Sequence, residues 1–273
     1  MGTIVAAGAA SHAPTIAIAR RDADPEAVAR FDAGMARLAD TVRAAEPDTL
    51  VLVTNEHFAN FYLNNVPTVC VGTGSYHRGP SEAFLGEEKL VPGDRPTAKA
   101  LVQSLVDQGA PVSFSEDLWF DHGTWVPLTY LNPDLRIPVV PLVMNNLIPP
   151  IPSPRAAYEF GRRLRAAIES LPADHRVALV GTGGLSHKVG TPDAGEVDPE
   201  WDRRFLDGVA KGEGERLSHL THAELDSIGN GTHEVRNWLT VMGALAEGTT
   251  AEVTAYENIP SWVTGCGVAV FRL

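Results

Sequence analysis

Between Thr3 and Thr54 the chain reads strand, helix, strand, and that order restricts the fold more than any other feature. Thr3–Ala7 is short, apolar and β-compatible. Pro25–Glu46 carries Val28, Phe31, Met35, Leu38 and Val42 at the three-and-four spacing of an amphipathic helix. Thr49–Thr54 (TLVLVT) is a continuous apolar run, as expected of a parallel strand covered on both faces. A βαβ unit of this kind closes with a right-handed crossover. Further strands are predicted at Thr68–Val71, Pro111–Phe114, Ile137–Val143, Arg176–Gly181 and Gly267–Arg272. Helices are predicted at Thr97–Gln108, Pro154–Ser170, Pro199–Lys211 and Thr232–Glu247. The expected fold is α/β, with a mostly parallel central sheet flanked by helices and a functional site at the strand carboxyl ends. Residues 1–273 read as a single domain, because strands continue on both sides of the Pro-rich Ile148–Pro154 segment, a surface connection.

Composition narrows the partners. The net charge is −12, from 34 acidic and 22 basic residues. Nucleic acid and anionic membranes are therefore not expected, since both need a basic face. Only Cys70 and Cys266 are present, which fits a reducing compartment and no disulfide framework. The N-terminal residues read as a first strand, not a signal peptide, and Ala6 breaks the myristoylation pattern. No stretch reaches the roughly 20 apolar residues of a membrane span. A cytoplasmic globular protein is the expectation, as a homo-oligomer.

Four of the nine histidines share a placement. His12 follows the first strand, His57 the second, His122 the Pro111–Phe114 strand and His187 the Arg176–Gly181 strand. In an open α/β sheet these positions gather at one edge, where ligands bind. Each neighbourhood carries the Gly, Pro, Asn or Asp of tight loops. Any one of them alone reads as a loop histidine bonded to backbone; four together point to a metal, for which imidazole is the commonest protein ligand. His77, His175, His219 and His222 lack the pattern and read as solvated.

Several alternatives lack their motifs. No paired Cys or His spacing marks a structural zinc site, and His233-Glu234 has no second histidine four residues on. No G-x-S-x-G elbow is present. Gly181-Thr-Gly-Gly and Gly72-Thr-Gly-Ser do not complete a phosphate loop. An Fe(II) site of two histidines and one carboxylate leaves positions open for substrate and dioxygen. Glu234 is the candidate carboxylate, in the first turn of Thr232–Glu247 with Thr232 as N-cap; its residue type also suits an ordinary acidic side chain favoured by the helix dipole. His233 should point about 100° away around that helix.

The segments Ser11-His-Ala-Pro14, Asn55-Glu-His57, Asp121-His-Gly123, Gly181-Thr-Gly-Gly-Leu-Ser-His187 and Gly231-Thr-His-Glu-Val-Arg-Asn-Trp238 together resemble the class III extradiol ring-cleaving dioxygenases, the family of the protocatechuate 4,5-dioxygenase β subunit. The Gly-Thr-Gly-Gly-x-Ser-His run is the most specific of them. The resemblance implies that His12, His57 and Glu234 hold Fe(II), that His187 is the acid/base and that His122 is a second active-site histidine. Glu56 departs from the aspartate common before the ligand in the family. The implied substrates are a catechol and O2, with His187 taking a hydroxyl proton, a task suited to histidine's ordinary pKa near neutrality. Some segments are similar to gallate and protocatechuate enzymes, others to 2,3-dihydroxyphenylpropionate and catechol enzymes. An aminophenol substrate at the same site, a zinc metallohydrolase and a non-catalytic binding protein of the same fold are the rival readings.

Overall fold

The computed structural model describes residues 1–273. Ten strands form: β1 (Thr3–Ala10), β2 (Thr49–Asn55), β3 (Val69–Gly72), β4 (Tyr76–Gly79), β5 (Lys89–Pro92), β6 (Val112–Ser115), β7 (Val139–Met144), β8 (Arg176–Thr182), β9 (Ala251–Asn258) and β10 (Gly265–Phe271). Eight of them make one sheet in the order β6-β3-β7-β2-β8-β1-β10-β9, while β4 and β5 pair as a separate hairpin. The centre, β7-β2-β8-β1, is parallel throughout.

Side-chain alternation explains the apolar runs. In β2, Val51 and Val53 enter one core and Leu50 and Leu52 the other. In β1, Ala7 and Ala9 face the first core while Ala6 and Ala10 face the second. Both faces are therefore covered, as the continuous hydrophobicity of TLVLVT requires. One face is packed by the helices Pro25–Ala44 and His122–Leu131, the other by Arg95–Asp107, Pro154–Glu169, Pro199–Ala210 and Val235–Ala244. Four of these helices begin with the same device. Asp24, Asp94, Ser153 and Asp198 each accept a backbone N–H of the first turn, with Pro just inside.

The flanks depart from the expected pattern. β3 runs antiparallel to β7, and β6 is parallel to β3. The carboxyl end of β6 therefore lies at the edge opposite those of β1, β2 and β8. His122 does not reach the site by following β6, as its position in the sequence suggests. After β6 the chain turns back along β4, where Leu118 accepts the Arg78 N–H and Phe120 donates to the Arg78 carbonyl. His122 then starts a helix that the sequence does not advertise, because Pro127 sits inside it.

Other expectations also change. His77 is fully buried on β4, stacked on Phe120 with ring centroids 5.2 Å apart, not solvated. The apolar surroundings push its pKa down to about 4 and keep it neutral. His175 is half-buried between Thr49 and Thr97, each 3.2 Å from its Nε2, and His222 lies 3.3 Å from an Arg236 nitrogen. His219 is exposed, as expected. No helix is long and apolar enough to cross a membrane.

Candidate metal centre and its cavity

β2, β8 and β1 are neighbours in the sheet, and their carboxyl ends deliver His57, His187 and His12 to one place. His122 arrives at the start of its helix. Glu234 enters from a short 3-10 turn, Thr232–Glu234, that leads into Val235–Ala244. The expected N-cap role of Thr232 is not realised: its hydroxyl is buried and bonds to nothing. Glu234 is likewise no surface residue stabilised by a helix dipole. It is 8 % exposed, and its Oε2 accepts the Gly184 N–H at 2.6 Å.

The four histidines share one hydrogen-bonding logic. His57 Nδ1 lies 3.0 Å from Asp121 Oδ2, His122 Nδ1 2.6 Å from Glu82 Oε1, and His187 Nδ1 2.9 Å from the Leu185 carbonyl. Carboxylates and carbonyls only accept, so each Nδ1 carries the proton. His12 Nδ1 lies 3.0 Å from Thr182 Oγ1, whose own hydrogen goes to the Gly123 carbonyl at 2.9 Å. Thr182 must therefore accept from His12. That Gly123 carbonyl is available because Pro127, four residues on, has no N–H to give it. In the neutral form every ring leaves Nε2 bare, and a fixed outer partner of this kind is what orients metal-binding histidines.

The bare nitrogens converge. His12 Nε2 is 3.1 Å from Glu234 Oε2 and His57 Nε2 is 3.4 Å from Glu234 Oε1, while His187 Nε2 stands 3.8 Å from Oε1. One nitrogen from each of His12, His57 and His122 lies within 4.8 Å of the others, a group able to hold a metal ion. The His57 and His122 rings are 4.0 Å apart between centroids. His12 Nε2 is buried without a hydrogen-bond partner. Two lone-pair atoms facing each other at 3.1 Å call for a cation between them. Ligand bonds of about 2.1 Å at right angles put neighbouring donors about 3 Å apart. The spacings of Glu234 from His12 and His57 fit that edge.

Electrostatics point the same way. Burial would raise the Glu234 pKa, but His12, His187 and His57 hold it well below the ordinary carboxylate range. Burial lowers the His12 pKa more than Glu234 raises it, so His12 stays neutral. At His57 burial also opposes charge, yet Asp121 and Glu234 outweigh it and raise the pKa to about 10. The cluster thus holds a proton on His57 where a metal would place its own charge.

Small residues make the packing possible. A side chain on Gly231 would run into the His187 imidazole, and one on Gly123 would come within 2.9 Å of the His57 ring. Asp202 accepts the Ser186 N–H at 2.8 Å and the Tyr256 hydroxyl at 2.8 Å, fixing the loop that carries His187. Asn237 donates to Asn55 Oδ1 at 2.5 Å and to the Thr182 carbonyl at 2.6 Å, locking the ends of β2 and β8. Glu56, the departure noted above, is a loop brace: it accepts the Asn60 and Phe61 N–H groups at 2.6 and 3.2 Å.

All five candidates meet here, and His233 points elsewhere, with Nε2 2.7 Å from Asp226. Residue-level reading gave no role to Asp121, Glu82, Thr182, Asn237 or Asp202. Asp121, Thr182 and Asn237 stood inside quoted motifs, while Glu82 carried no signal at all. A cavity of about 710 Å3 opens over the cluster, walled partly by Leu147, Ile148 and Pro149 of the Pro-rich segment. That connection is therefore also part of the site.

Known proteins agree with this architecture. The crystal structure of an uncharacterized protein of Escherichia coli K12 superposes with a TM-score of 0.60 at 18% identity, covering 97% of this chain and 99% of that one. A 2,3-dihydroxyphenylpropionate/2,3-dihydroxicinnamic acid 1,2-dioxygenase of Cupriavidus necator is 28% identical over 89% of this chain and 91% of its own. A gallate dioxygenase of Pseudomonas putida is 36% identical over 67% of this chain and 54% of its own. The profile of the catalytic LigB subunit of aromatic ring-opening dioxygenases matches residues 6–267. With its strand-end histidines and its fold, the chain belongs to that family of aromatic ring-cleaving dioxygenases.

Proposed function

We propose that this protein is an Fe(II)-dependent extradiol dioxygenase, with His12, His57 and Glu234 as metal ligands, His187 as acid/base and His122 as a second proton handler. One observation carries the reading: the outer partners fix each Nδ1 as a donor, so the Nε2 atoms of His12, His57 and His187 face one buried carboxylate. Two histidines and one carboxylate on one side leave open positions, the donor set of non-haem Fe(II) oxygenases. When bound, the iron would supply a template that brings a diphenol and dioxygen together and couples their electrons.

The chain's own residues do the rest. A catechol enters the cavity with its two hydroxyls toward Glu234 and the histidines. His187, held by the Leu185 carbonyl through Nδ1, takes a phenolic proton at Nε2 and can return it when the ring opens. His122, anchored on Glu82, presents a second nitrogen to the same space. The cavity admits substrate while the burial of His12, His187 and Glu234 limits water at the reacting atoms.

A zinc metallohydrolase is the second reading, favoured by how closely His122 approaches His12 and His57. Metal analysis of anaerobically purified protein, followed by oxygen uptake with catechols, separates the two. Iron with stoichiometric oxygen consumption and a yellow ring-opened product supports the dioxygenase. Tightly bound zinc, with no oxygen uptake after iron loading, would sink it.

A further inference from the structure

Away from the histidine cluster, the one charged side chain in the cavity wall is already paired. Lys188 is the one basic side chain lining it. Its Nζ is held by Asp193 and, at 2.8 Å, by Glu196 Oε2. Asn230 is committed as fully: its Nδ2 donates to the Val189 carbonyl and its Oδ1 accepts the Val189 N–H, both at 2.8 Å. Thr15 donates its hydroxyl to the Trp262 carbonyl at 2.7 Å. Thr264 is buried and uncharged.

What the wall does present is apolar, and it is presented under strain. Phe58 and Val263 line the cavity with 43 % and 41 % of their surfaces exposed. Their φ angles are 62° and 52°, in the left-handed region. An aromatic or β-branched residue adopts that conformation only when its surroundings hold it there, and such residues concentrate at ligand sites. Phe58 directly follows His57, and Val263 precedes Thr264; both residues line the cavity that opens over the cluster.

Resting on the ring-cleavage reading, we propose that the substrate's ring substituent is uncharged and apolar and seats against Phe58 and Val263. The preferred substrates are alkyl- or aryl-substituted catechols. A carboxylate on the ring would have to draw Lys188 away from Asp193 and Glu196 to find a partner, and an anion left without one in the cavity is disfavoured. This separates the chain from relatives named for phenylpropionate and gallate.

The test uses the full-length, Fe(II)-loaded protein with 4-butylcatechol, unsubstituted catechol and 3,4-dihydroxybenzoate. Two readouts apply: kcat/KM in air, and anaerobic binding by calorimetry, which needs no turnover. The expected result is at least about a tenfold advantage of 4-butylcatechol over the benzoate in both, the scale at which apolar pockets discriminate. Val263→Gly and Phe58→Gly should each reduce the ratio of butylcatechol to catechol about tenfold, and both relieve the left-handed strain, which protects the fold. Tighter binding and faster opening of the benzoate, with the advantage removed by Lys188→Met, would overturn the proposal. An unchanged ratio in both glycine variants would overturn the assignment of the wall. If no catechol is bound or opened, the ring-cleavage reading fails first and this inference with it.

Discussion

His12 Nδ1 lies 3.0 Å from Thr182 Oγ1, and that hydroxyl is already donating to the Gly123 carbonyl. The relay dictates which nitrogen of His12 faces the metal centre. Thr182→Val removes the acceptor and leaves two buried polar groups without a partner. Metal affinity should fall about 10- to 100-fold, the usual consequence of deleting an outer partner of a ligand histidine. Manganese titration followed by EPR reads this directly; unchanged affinity would show that the relay does not set the tautomer.

The two carboxylate-side roles should separate by mutation. Glu234→Ala should lose iron, whereas His187→Phe should keep iron and lose turnover, since His187 stands 3.8 Å from Glu234 and is held by its own backbone contact. Iron content and oxygen uptake measured on the same samples give the answer. Stoichiometric iron and full activity in Glu234→Ala would refute the ligand assignment.

Proton and metal should compete at His57. Its pKa in the metal-free fold stands at about 10, because Asp121 and Glu234 outweigh the burial that opposes its charge. A raised histidine pKa means that the stabilisation is complete below the unfolded value of about 6.5 and is lost as pH rises toward about 10. Chelator-treated protein should therefore lose thermal stability between pH 7 and 10, while manganese affinity rises over the same window. Asp121→Asn should flatten both slopes. A metal-free melting temperature independent of pH across that range would contradict the account.

Gly231 tests how closely the acid/base is packed. A Cβ at that position would collide with the His187 ring. Gly231→Ala should displace His187 and cut kcat by at least about 10-fold, since small misplacements of catalytic groups are costly. Iron content should be preserved, and a kcat equal to that of the parent would show that the ring has room to move.

Much of this was legible in the chain itself. Continuous apolar runs such as TLVLVT identified strands covered on both faces, and the predicted helix starts at Pro25, Pro154 and Pro199 coincide with the observed ones. Strand-end placement alone found His12, His57 and His187. His122 was found for a reason that does not hold, since β6 runs opposite to the central strands and strand direction depends on pairing between distant segments. The helix His122–Leu131 stayed hidden because Pro127 argues locally against it; only in the fold does its missing N–H free the Gly123 carbonyl for Thr182.

By itself, then, the sequence determined the layered α/β class and the residues that end the central strands, because those depend on local periodicity and turn chemistry. The tertiary structure decided what those residues can do. Asp121, Glu82 and Thr182 stand 64, 40 and 170 positions from the histidines they fix. Such pairings leave no local pattern. They exist only once the sheet has brought the strand ends together, and they turn four loop histidines into one inward-facing set around Glu234.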